Sequence, residues 1–154
     1  MDIIDNMRLV IQRVTRAHLT IDNKLISAIN KGLVVFIGIK HSDTLLSIPP
    51  IAKKIINLRL FNDKNNKMNL SLLDVSGNLL IVSQFTLYGN CKKGNRPSFM
   101  DSASSEHAKK IYNEFVNYMH NKLNKVQTGI FGAHMDVELI NDGPVTFILD
   151  SNEK

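Results

Sequence analysis

The sequence contains a single cysteine, Cys91, so an intrachain disulfide has no second thiol. It also lacks an apolar run of roughly 18 residues, the length that a membrane-spanning helix needs. Residues 1–6 carry neither the basic stretch nor the apolar stretch that begins a secretory signal. Together these absences predict a soluble, cytoplasmic protein that works in a reducing compartment and does not associate with membranes.

The motifs of several enzyme classes are missing too. There is no G-x-S-x-G elbow, no P-loop and no G-x-G-x-x-G, which argues against an elbow-type serine hydrolase, a nucleoside triphosphatase and a dinucleotide enzyme. The histidines show neither paired spacing nor an adjoining acidic cluster. They are His18, His41, His107, His120 and His134. We therefore expect no metal and no cofactor.

The composition that is present indicates one basic, globular domain. A chain of 154 residues with 44% hydrophobic content can close one core but is short for two ordinary domains. Nineteen Lys and Arg against fourteen Asp and Glu leave a net charge of +5, an excess that favours phosphate-bearing partners. A solvated basic surface is the alternative, because part of the lysines lie in the Asn-rich and Lys-rich stretch at 62–69.

Strand patterns occupy much of the chain. Alternating apolar and polar residues at 7–21 predict a half-buried strand or strand pair, and Asp22-Asn23 predicts a turn after it. The continuous apolar run at 33–39 predicts a central strand that is covered on both faces. Residues 78–88 predict a buried strand that emerges at an edge, because the apolar residues give way to polar ones.

Two helices and a final pair of strands complete the prediction. Ser47 is a plausible N-cap for a helix that runs to residue 61. A second helix is predicted after a cap at Asp101 or Ser102, since apolar residues then recur at steps of three and four. The last strands are predicted at 129–140 and 145–150, joined by a turn of sequence Asn-Asp-Gly-Pro.

Polar residues that end the buried strand at 78–88 are the first candidates for a site. Alternation along a strand puts Gln84 and Thr86 on one face and Ser83 and Phe85 on the other. Side chains at such a strand end often line a pocket. They serve equally well to satisfy neighbouring backbone groups, so the residues alone leave both interpretations open.

A basic loop at 89–99 is the second candidate. Lys92, Lys93 and Arg96 lie there among glycine, asparagine and proline, which suits contact with a phosphate backbone. A solvated loop is the plainer interpretation. Cys91 lies in the same loop, but no histidine or helix start is visibly placed to activate its thiol.

The Gly143-Pro144 pair is the third candidate. An X-Pro bond can be cis at modest cost, and a cis bond here would leave carbonyl oxygens pointing out of the turn. Two such oxygens can accept hydrogen bonds from an ammonium group. Most Gly-Pro turns only reverse the chain, and that alternative stays open.

Five separated blocks resemble the D-aminoacyl-tRNA deacylase family in their order and spacing. The blocks are MRLVIQRV at 7–14, SQFTLY at 83–88, KKGNRPSF at 92–99, TGIFGA at 128–133 and NDGPVT at 141–146. The resemblance implies a single domain at 7–150, with an N-terminal extension at 1–6 and a C-terminal tail at 151–154. It also implies a mixed α/β (α+β) fold of curved, barrel-like β-sheets with about two long helices packed outside, assembled as a homodimer.

The resemblance further implies hydrolysis of the ester bond of D-aminoacyl-tRNA at the tRNA acceptor end, a proofreading activity of translation. Glycyl-tRNA mischarged on tRNA-Ala is implied as a second substrate. The implied catalytic residues, with the amide of Phe85 in an oxyanion hole, are Ser83, Gln84, Phe85 and Thr86. Gly143 and Pro144, cis and reaching in from the partner subunit, would capture the α-amino group and leave no room for an L side chain.

The remaining implied roles concern the tRNA end. The residues assigned to the pocket wall or the terminal adenosine are Arg8, Phe131, Ala133 and Met135, and those assigned to tRNA contacts are Lys92, Lys93 and Arg96. His134 stands where many members of the family carry an acidic residue, which bears on contacts to the adenosine or the acceptor stem rather than on the activity.

Two alternatives remain at this stage. Thr86 is a candidate covalent nucleophile, but a threonine hydroxyl needs an adjacent base and the sequence identifies none. The ribose 2′-hydroxyl of the tRNA would otherwise help to activate water, with Ser83, Gln84 and Thr86 shaping the pocket. A nucleic-acid-binding module that keeps the fold without the chemistry is the second alternative, favoured by the basic charge.

Overall fold

A computed structural model of the chain describes residues 7–150, and the predicted extension at 1–6 and tail at 151–154 lie outside the described residues. The strands are β1 Arg8–Ile21, β2 Lys24–Ile29, β3 Gly32–Gly38, β4 Phe61–Asn62, β5 Met68–Leu70, β6 Asn78–Ser83, β7 Val126–Thr128 and β8 Asp136–Leu149. The helices are α1 Ile48–Asn57 and α2 Ser105–Lys122. Neither of these two helices is long and apolar enough to span a membrane.

The large sheet is organised around β1. This strand pairs antiparallel with β3 over its first half and with β2 over its second half, while β8 pairs antiparallel along the opposite edge. β6 lies parallel to β3, and β7 lies parallel to β6. Parallel neighbours need long crossover connections, and these carry α1 and α2. The curved, barrel-like sheet with two helices packed against it confirms the expected fold class.

The core occupies both faces of this sheet. On one face the two helices pack against β1, β3 and β6, and Ile55 and Phe115 are fully buried there. On the other face Val34 and Leu80 pack against partly buried side chains of the segment 135–139. Both faces of β3 are therefore covered, which explains its continuous apolar run and confirms its central position.

Helix α1 ends at Asn57, earlier than predicted. Leu58 has φ −58° and ψ 132°, which ends the helical backbone, and the chain then enters β4. Ser47 occupies the N-cap position, but its hydroxyl accepts from the amide of Thr44 at 3.1 Å and does not form the capping hydrogen bond. Thr44 caps the short 3-10 turn Leu45–Ser47 that leads into the helix.

Helix α2 begins later than predicted. Its N-cap is Ser104, whose Oγ accepts from the amide of His107 at 3.2 Å, and neither Asp101 nor Ser102 is the cap. Ser102 is instead paired with Lys40 in an isolated antiparallel bridge. An extended, paired backbone cannot also start a helix, so the cap moves along the chain.

Strand β6 ends at Ser83, also earlier than predicted. The next residues form the 3-10 turn Phe85–Tyr88, in which the amide of Leu87 donates to the oxygen of Gln84 at 3.3 Å. Because a 3-10 turn has no alternation between two faces, the prediction that Gln84 and Thr86 share one strand face is wrong.

The segment around Gly143-Pro144 does not reverse the chain. β8 is one strand, and both its halves pair with β1. The regular pairing of β8 with β1 is interrupted here, between the pair Gln12 with Thr146 and the pair Val14 with Asn141. Residues 142–145, the Gly-Pro excursion, therefore stand opposite Arg13 alone, as an enlarged β-bulge would. The predicted hairpin is wrong, and the strand predicted from residue 129 begins only at Asp136.

Candidate active site

A pocket of about 460 Å³ lies where β6 ends, and we call it the strand-end pocket. Its lining combines the end of β6, the start of α2 and the loop before β8. The lining residues are Val82, Ser83, Gln84, Phe85, Ser102, Ala103, Ser105, Ala108, Phe131, Gly132, Ala133, His134, Met135 and Val137. The fold thus brings together two of the five sequence blocks, those at 83–88 and 128–133.

The 3-10 turn after β6 presents two backbone donors. The amide of Gln84 donates to the oxygen of Ile37 at 2.8 Å, which ties the turn to β3. The amides of Phe85 and Thr86, the first two of the turn, have no acceptor among residues 7–150. First-turn amides point out of a helix end and bind electron-rich atoms. Two donors are therefore available beside the strand-end pocket.

Thr86 has a hydrogen-bonding partner that is not a base. The side-chain amide of Gln84 donates to its hydroxyl oxygen, and no imidazole or carboxylate within residues 7–150 bonds to it. Thr86 is exposed and does not line the strand-end pocket, whereas Ser83, Gln84 and Phe85 do. Three of the four predicted catalytic residues thus meet at the pocket.

The loop before β8 forms the opposite wall, with Phe131, Ala133 and Met135 in the lining as predicted. The Phe131 ring lies 5.7 Å from that of Tyr112 in α2. A Cβ at position 129 would lie 2.4 Å from the sulfur of Met135, so a larger residue there would displace this side chain of the pocket wall. The side chain of His134, 96% exposed, stands at the rim.

Tyr112 connects α2 to the strand that ends at the pocket. Its hydroxyl donates to the main-chain oxygen of Ile81 at 3.1 Å. Burial raises the pKa of Tyr112 from its ordinary value to about 12, so the phenol stays protonated. The bond anchors the helix against β6 just before the strand reaches Ser83.

Arg8 does not line the strand-end pocket, although the resemblance implies the pocket wall as one of its two possible places. Its Nε donates to Asp150 at 2.8 Å and its Nη1 to the oxygen of Leu87 at 2.9 Å. The guanidinium also stands over the Tyr88 ring, 4.8 Å from its centre. Burial raises the pKa of the Tyr88 phenol as well. Arg8 therefore holds the 3-10 turn onto β1 from outside the pocket.

Gly143 and Pro144 are joined by a cis bond, as the resemblance implies, and both are exposed. Neither lines the strand-end pocket of its own chain. Arg13, only 6% exposed, holds the excursion: its Nε donates to the oxygen of Asp142 at 3.1 Å and its Nη1 to that of Leu60 at 2.7 Å.

The basic loop is closed by backbone bonds between Asn90 and Ser98, at 2.7 and 2.9 Å. Lys92, Lys93 and Arg96 are exposed on it, and none forms an ion pair with a carboxylate of residues 7–150. The loop thus presents three uncompensated cations to solvent.

Within residues 7–150, no group of three His, Cys, Asp or Glu side chains is arranged to hold a metal.

Sequence reasoning missed Arg13 and two serines of the pocket lining, Ser102 before α2 and Ser105 at its first residue. Arg13 shares a strand face with buried Leu9 and Ile11, so a charge at an apolar position of the alternation was the available signal. Ser102 and Ser105 gave no such signal in the sequence, because they reach the pocket only through the crossover that brings α2 to β6.

The chain matches the family model described as D-Tyr-tRNA(Tyr) deacylase over residues 10–150. A D-aminoacyl-tRNA deacylase of Thermosipho africanus (strain TCF52B) is 56% identical over 147 residues, which cover 96% of this chain and 99% of that protein. One of Clostridium botulinum (strain Alaska E43 / Type E3) is 54% identical over the same shares.

Two solved structures have a similar fold. A structure described as c-Myc DNA Unwinding Element Binding Protein has a TM-score of 0.89 and 40% sequence identity, over 94% of this chain and 98% of that chain. A structure of a probable eukaryotic D-amino acid tRNA deacylase has a TM-score of 0.84 over the same shares. At 18% identity the second likeness concerns the fold alone.

Proposed function

The chain belongs to the D-Tyr-tRNA(Tyr) deacylase family and is a hydrolase of that class, and we propose that it cleaves the ester between a D-amino acid and the terminal ribose of tRNA. The reaction removes a wrongly charged amino acid and so proofreads translation in the cytoplasm, with residues 7–150 as the catalytic domain. The observation that carries the mechanism is the pair of unpartnered amides, those of Phe85 and Thr86, beside the strand-end pocket.

These two amides would form the oxyanion hole. Water adds to the ester carbonyl, and negative charge develops on the carbonyl oxygen of the tetrahedral intermediate. Preorganised donors aimed at that oxygen stabilise the transition state more than the ground state. The intermediate then collapses, the C–O bond to the ribose breaks, and the ribose oxygen takes up a proton.

Activation of the water is assigned to the substrate rather than to Thr86. The hydroxyl of Thr86 accepts from the amide of Gln84, which is not a base, and it lies outside the pocket lining. An aminoacyl ester is already activated and needs mainly positioning and polarisation. The neighbouring ribose 2′-hydroxyl is held next to the ester by covalent geometry and would help to orient the water, while Ser83 and Gln84 shape the pocket.

Chiral selection is assigned to Gly143 and Pro144 of a partner subunit in a homodimer. Both residues are exposed and absent from the lining of the pocket in their own chain, which supports a role at the pocket of another copy. Apolar side chains exposed along β8, such as Ile140 and Ile148, supply a surface that a second copy would cover. Main-chain oxygens would hold the α-amino group, and the rigid backbone would reject an L side chain.

The same arrangement accounts for the other implied contacts. The Gly143-Pro144 backbone acts as a chiral filter by clashing with an L side chain. Glycine has no side chain, so this filter would also admit glycyl-tRNA mischarged on tRNA-Ala. Phe131, Ala133 and Met135 line the pocket and would contact the amino acid or the adenosine. The exposed cations Lys92, Lys93 and Arg96 would contact tRNA phosphates.

The oxyanion hole is tested with a matched pair of variants at one position. Phe85→Pro removes the amide donor, while Phe85→Ala removes only the ring. Proline fits the first position of the turn, and Gln84, with φ −142° and ψ 82°, lies outside the helical region that a following proline disfavours. We expect Phe85→Pro to lower kcat on D-tyrosyl-tRNA by about 100-fold or more relative to Phe85→Ala. Equal kcat values for the two variants would exclude the amide of Phe85.

The same assay is then run on the Thr86→Ala variant, and with L-tyrosyl-tRNA in place of the D ester. Turnover of the D ester alone, with activity retained in Thr86→Ala, supports backbone and substrate as the catalysts. Loss of all turnover in Thr86→Ala would instead support the covalent mechanism.

Action of the filter across subunits is tested by mixing two inactive variants. Phe85→Pro damages the pocket and Gly143→Ala damages the filter, so in a mixed dimer one site has both parts intact. We expect unfolding and refolding of the mixture to restore part of the activity that neither variant has alone. Activity that stays absent, although mass spectrometry shows mixed dimers, would place pocket and filter in one subunit.

A nucleic-acid-binding module is the second candidate function. It is favoured by the net charge of +5 and by the relative described as a DNA unwinding element binding protein at 40% identity. This candidate predicts tRNA binding without hydrolysis of either tyrosyl ester. Turnover by the wild-type protein excludes it.

A further inference from the structure

A second pocket, of about 260 Å³, lies beside the strand-end pocket, and we call it the basic pocket. Its lining residues are Arg8, Lys40, Tyr88, Gly89, Asn90, Cys91, Lys92 and Asp101. We propose that the basic pocket binds a backbone phosphate of the single-stranded 3′ end of the tRNA while the esterified terminal nucleotide occupies the strand-end pocket. This inference rests on the proposed function and adds a phosphate site and a residue, Lys40, to it.

The charge of the basic pocket is the first argument. Its cations come from three separate segments of the chain: Arg8 from β1, Lys40 from the segment after β3, and Lys92 from the basic loop. Neither lysine forms an ion pair with a carboxylate of residues 7–150. The lining itself holds these three cations against one carboxylate, Asp101. Asp150, which is paired with Arg8, and buried Asp43, which accepts from the amide of Lys40, lie outside the lining.

The fixed geometry of the pocket is the second argument. Arg8 is oriented by its bonds to Asp150 and to the oxygen of Leu87. The backbone of Lys40 is held by a bond from its amide to Asp43 at 2.8 Å and by the bridge to Ser102. A cation on a fixed backbone loses less conformational entropy on binding than one on a mobile tail. The pocket is therefore better prepared for an anion than the exposed cations of the basic loop.

Its position is the third argument. The 3-10 turn Phe85–Tyr88 has one end in the strand-end pocket and the other in the basic pocket. Asp101 lines one pocket and the next residue, Ser102, lines the other. The two cavities therefore share the 3-10 turn and the segment 101–102 in their walls. A strand whose terminal ester lies in the strand-end pocket would pass a backbone phosphate across this shared wall to the basic pocket.

The surface next to the turn suits unpaired bases. Phe85 and Phe99 are both exposed, with ring centres 5.1 Å apart, and neighbouring Met100 is 86% exposed. Proteins that hold single-stranded nucleic acid combine a cationic path for the backbone with exposed aromatic rings on which bases stack. Both parts occur here around one short turn.

The salt dependence of the reaction tests the phosphate contact. For a single strand, each neutralised phosphate contributes about 0.7 to the slope of log affinity against log salt concentration. We expect Lys40→Ala to raise KM for D-tyrosyl-tRNA, to leave kcat unchanged, and to make the plot of log(kcat/KM) against log[KCl] shallower by about 0.7. Asp101→Asn, which removes the opposing charge, should lower KM.

Lys24→Ala is the matched control, since Lys24 is an exposed lysine of β2 that pairs with Ile21, at the opposite end of β1 from Arg8. Equal slopes for Lys40→Ala and Lys24→Ala would overturn the inference. Absence of turnover by the wild-type protein would instead count against the proposed function, so the two failures are distinguishable.

The single cysteine offers an independent test, because the exposed thiol of Cys91 lines the basic pocket. We expect saturating uncharged tRNA to slow alkylation of Cys91 by iodoacetamide, and tRNA lacking its three 3′-terminal nucleotides to do so much less. Inorganic phosphate alone should protect only at millimolar concentration or above. Equal protection by intact and shortened tRNA would assign the contact to the tRNA body and overturn the inference.

Discussion

Arg13 and Gly143 lie so close that a Cβ on the glycine would stand 3.2 Å from Nη2 of the arginine. The arginine is buried beneath the Gly-Pro excursion and bonds to two main-chain oxygens, that of Asp142 in the excursion and that of Leu60 just before β4. The excursion that is proposed to select chirality is thus held by a side chain of β1 rather than by its own turn.

Arg13→Lys should loosen the excursion. A lysine ammonium cannot reproduce the planar fork that bonds to Asp142 and Leu60 together, so a buried carbonyl oxygen loses its donor. We expect the free energy of unfolding to fall by about 1–3 kcal/mol, measured by urea denaturation, and L-tyrosyl-tRNA to become a substrate. Arg16→Lys, an exposed change on the same strand, is the control. Equal urea midpoints for the two variants would contradict the role of Arg13.

Gly143→Ala should destabilise the protein more than Gly94→Ala. Both glycines have positive φ, 134° and 64°, so alanine is strained at either position. A Cβ on Gly143 would also stand 2.8 Å from a methyl group of Val145, whereas a Cβ on Gly94 would meet nothing within 4 Å. We expect a difference of about 1 kcal/mol or more between the two variants in thermal or urea unfolding. The prediction fails if Gly94→Ala costs as much.

Ile148→Lys should dissociate the proposed homodimer. Ile148 is 62% exposed on β8, the strand that carries the excursion, and a charge there would be buried without a partner if a second copy covers it. We expect the sedimentation coefficient to fall to that of a monomer and deacylation to be lost. Leu46→Lys, at a 79% exposed leucine before α1, should change neither. A wild-type protein that sediments as a monomer would exclude the homodimer.

Tyr112→Phe should reveal a pH-dependent contribution to stability. In the folded protein the pKa of Tyr112 is about 12, above its ordinary value of 10. The contribution of the protonated phenol to the free energy of unfolding is therefore complete below pH 10 and is lost as the pH rises through 12. At pH 8 the wild type should be more stable by about 1 kcal/mol, because the variant loses the bond to Ile81. The difference should shrink at pH 11. Tyr118→Phe on the same helix is the control, and a difference independent of pH would contradict the assignment.

The local patterns of the sequence were sufficient for the elements that depend on burial alone. The alternation of apolar and polar residues at 7–21 predicted β1, and the continuous apolar run at 33–39 predicted β3. Successive side chains of a strand point to opposite faces, so the order of apolar residues shows which faces are covered. The apolar steps of three and four likewise predicted both helices. Five blocks in a fixed order pointed to the deacylase family, which the family match and the relatives confirm.

The strand-end pocket was predicted only in part. Ser83, Gln84 and Phe85 were found from the change of polarity at a strand end, but their geometry was not, because the chain turns into a 3-10 turn after Ser83. The serines at the start of α2 reach the pocket through a crossover, and no local pattern records which strand a helix will pack against.

By itself, the sequence determined the strands β1 and β3, the presence of two helices, the basic charge and the family, since these follow from residue order and composition. Only the tertiary structure decided the course of the chain at Gly143-Pro144. Asn-Asp-Gly-Pro is compatible with a reversal, yet β1 offers pairing partners on both sides of the excursion, so the two halves of β8 stay in line. The meeting of Lys40 with Asp101 in one pocket was decided in the same way, because pairing between distant segments is a property of the assembled sheet.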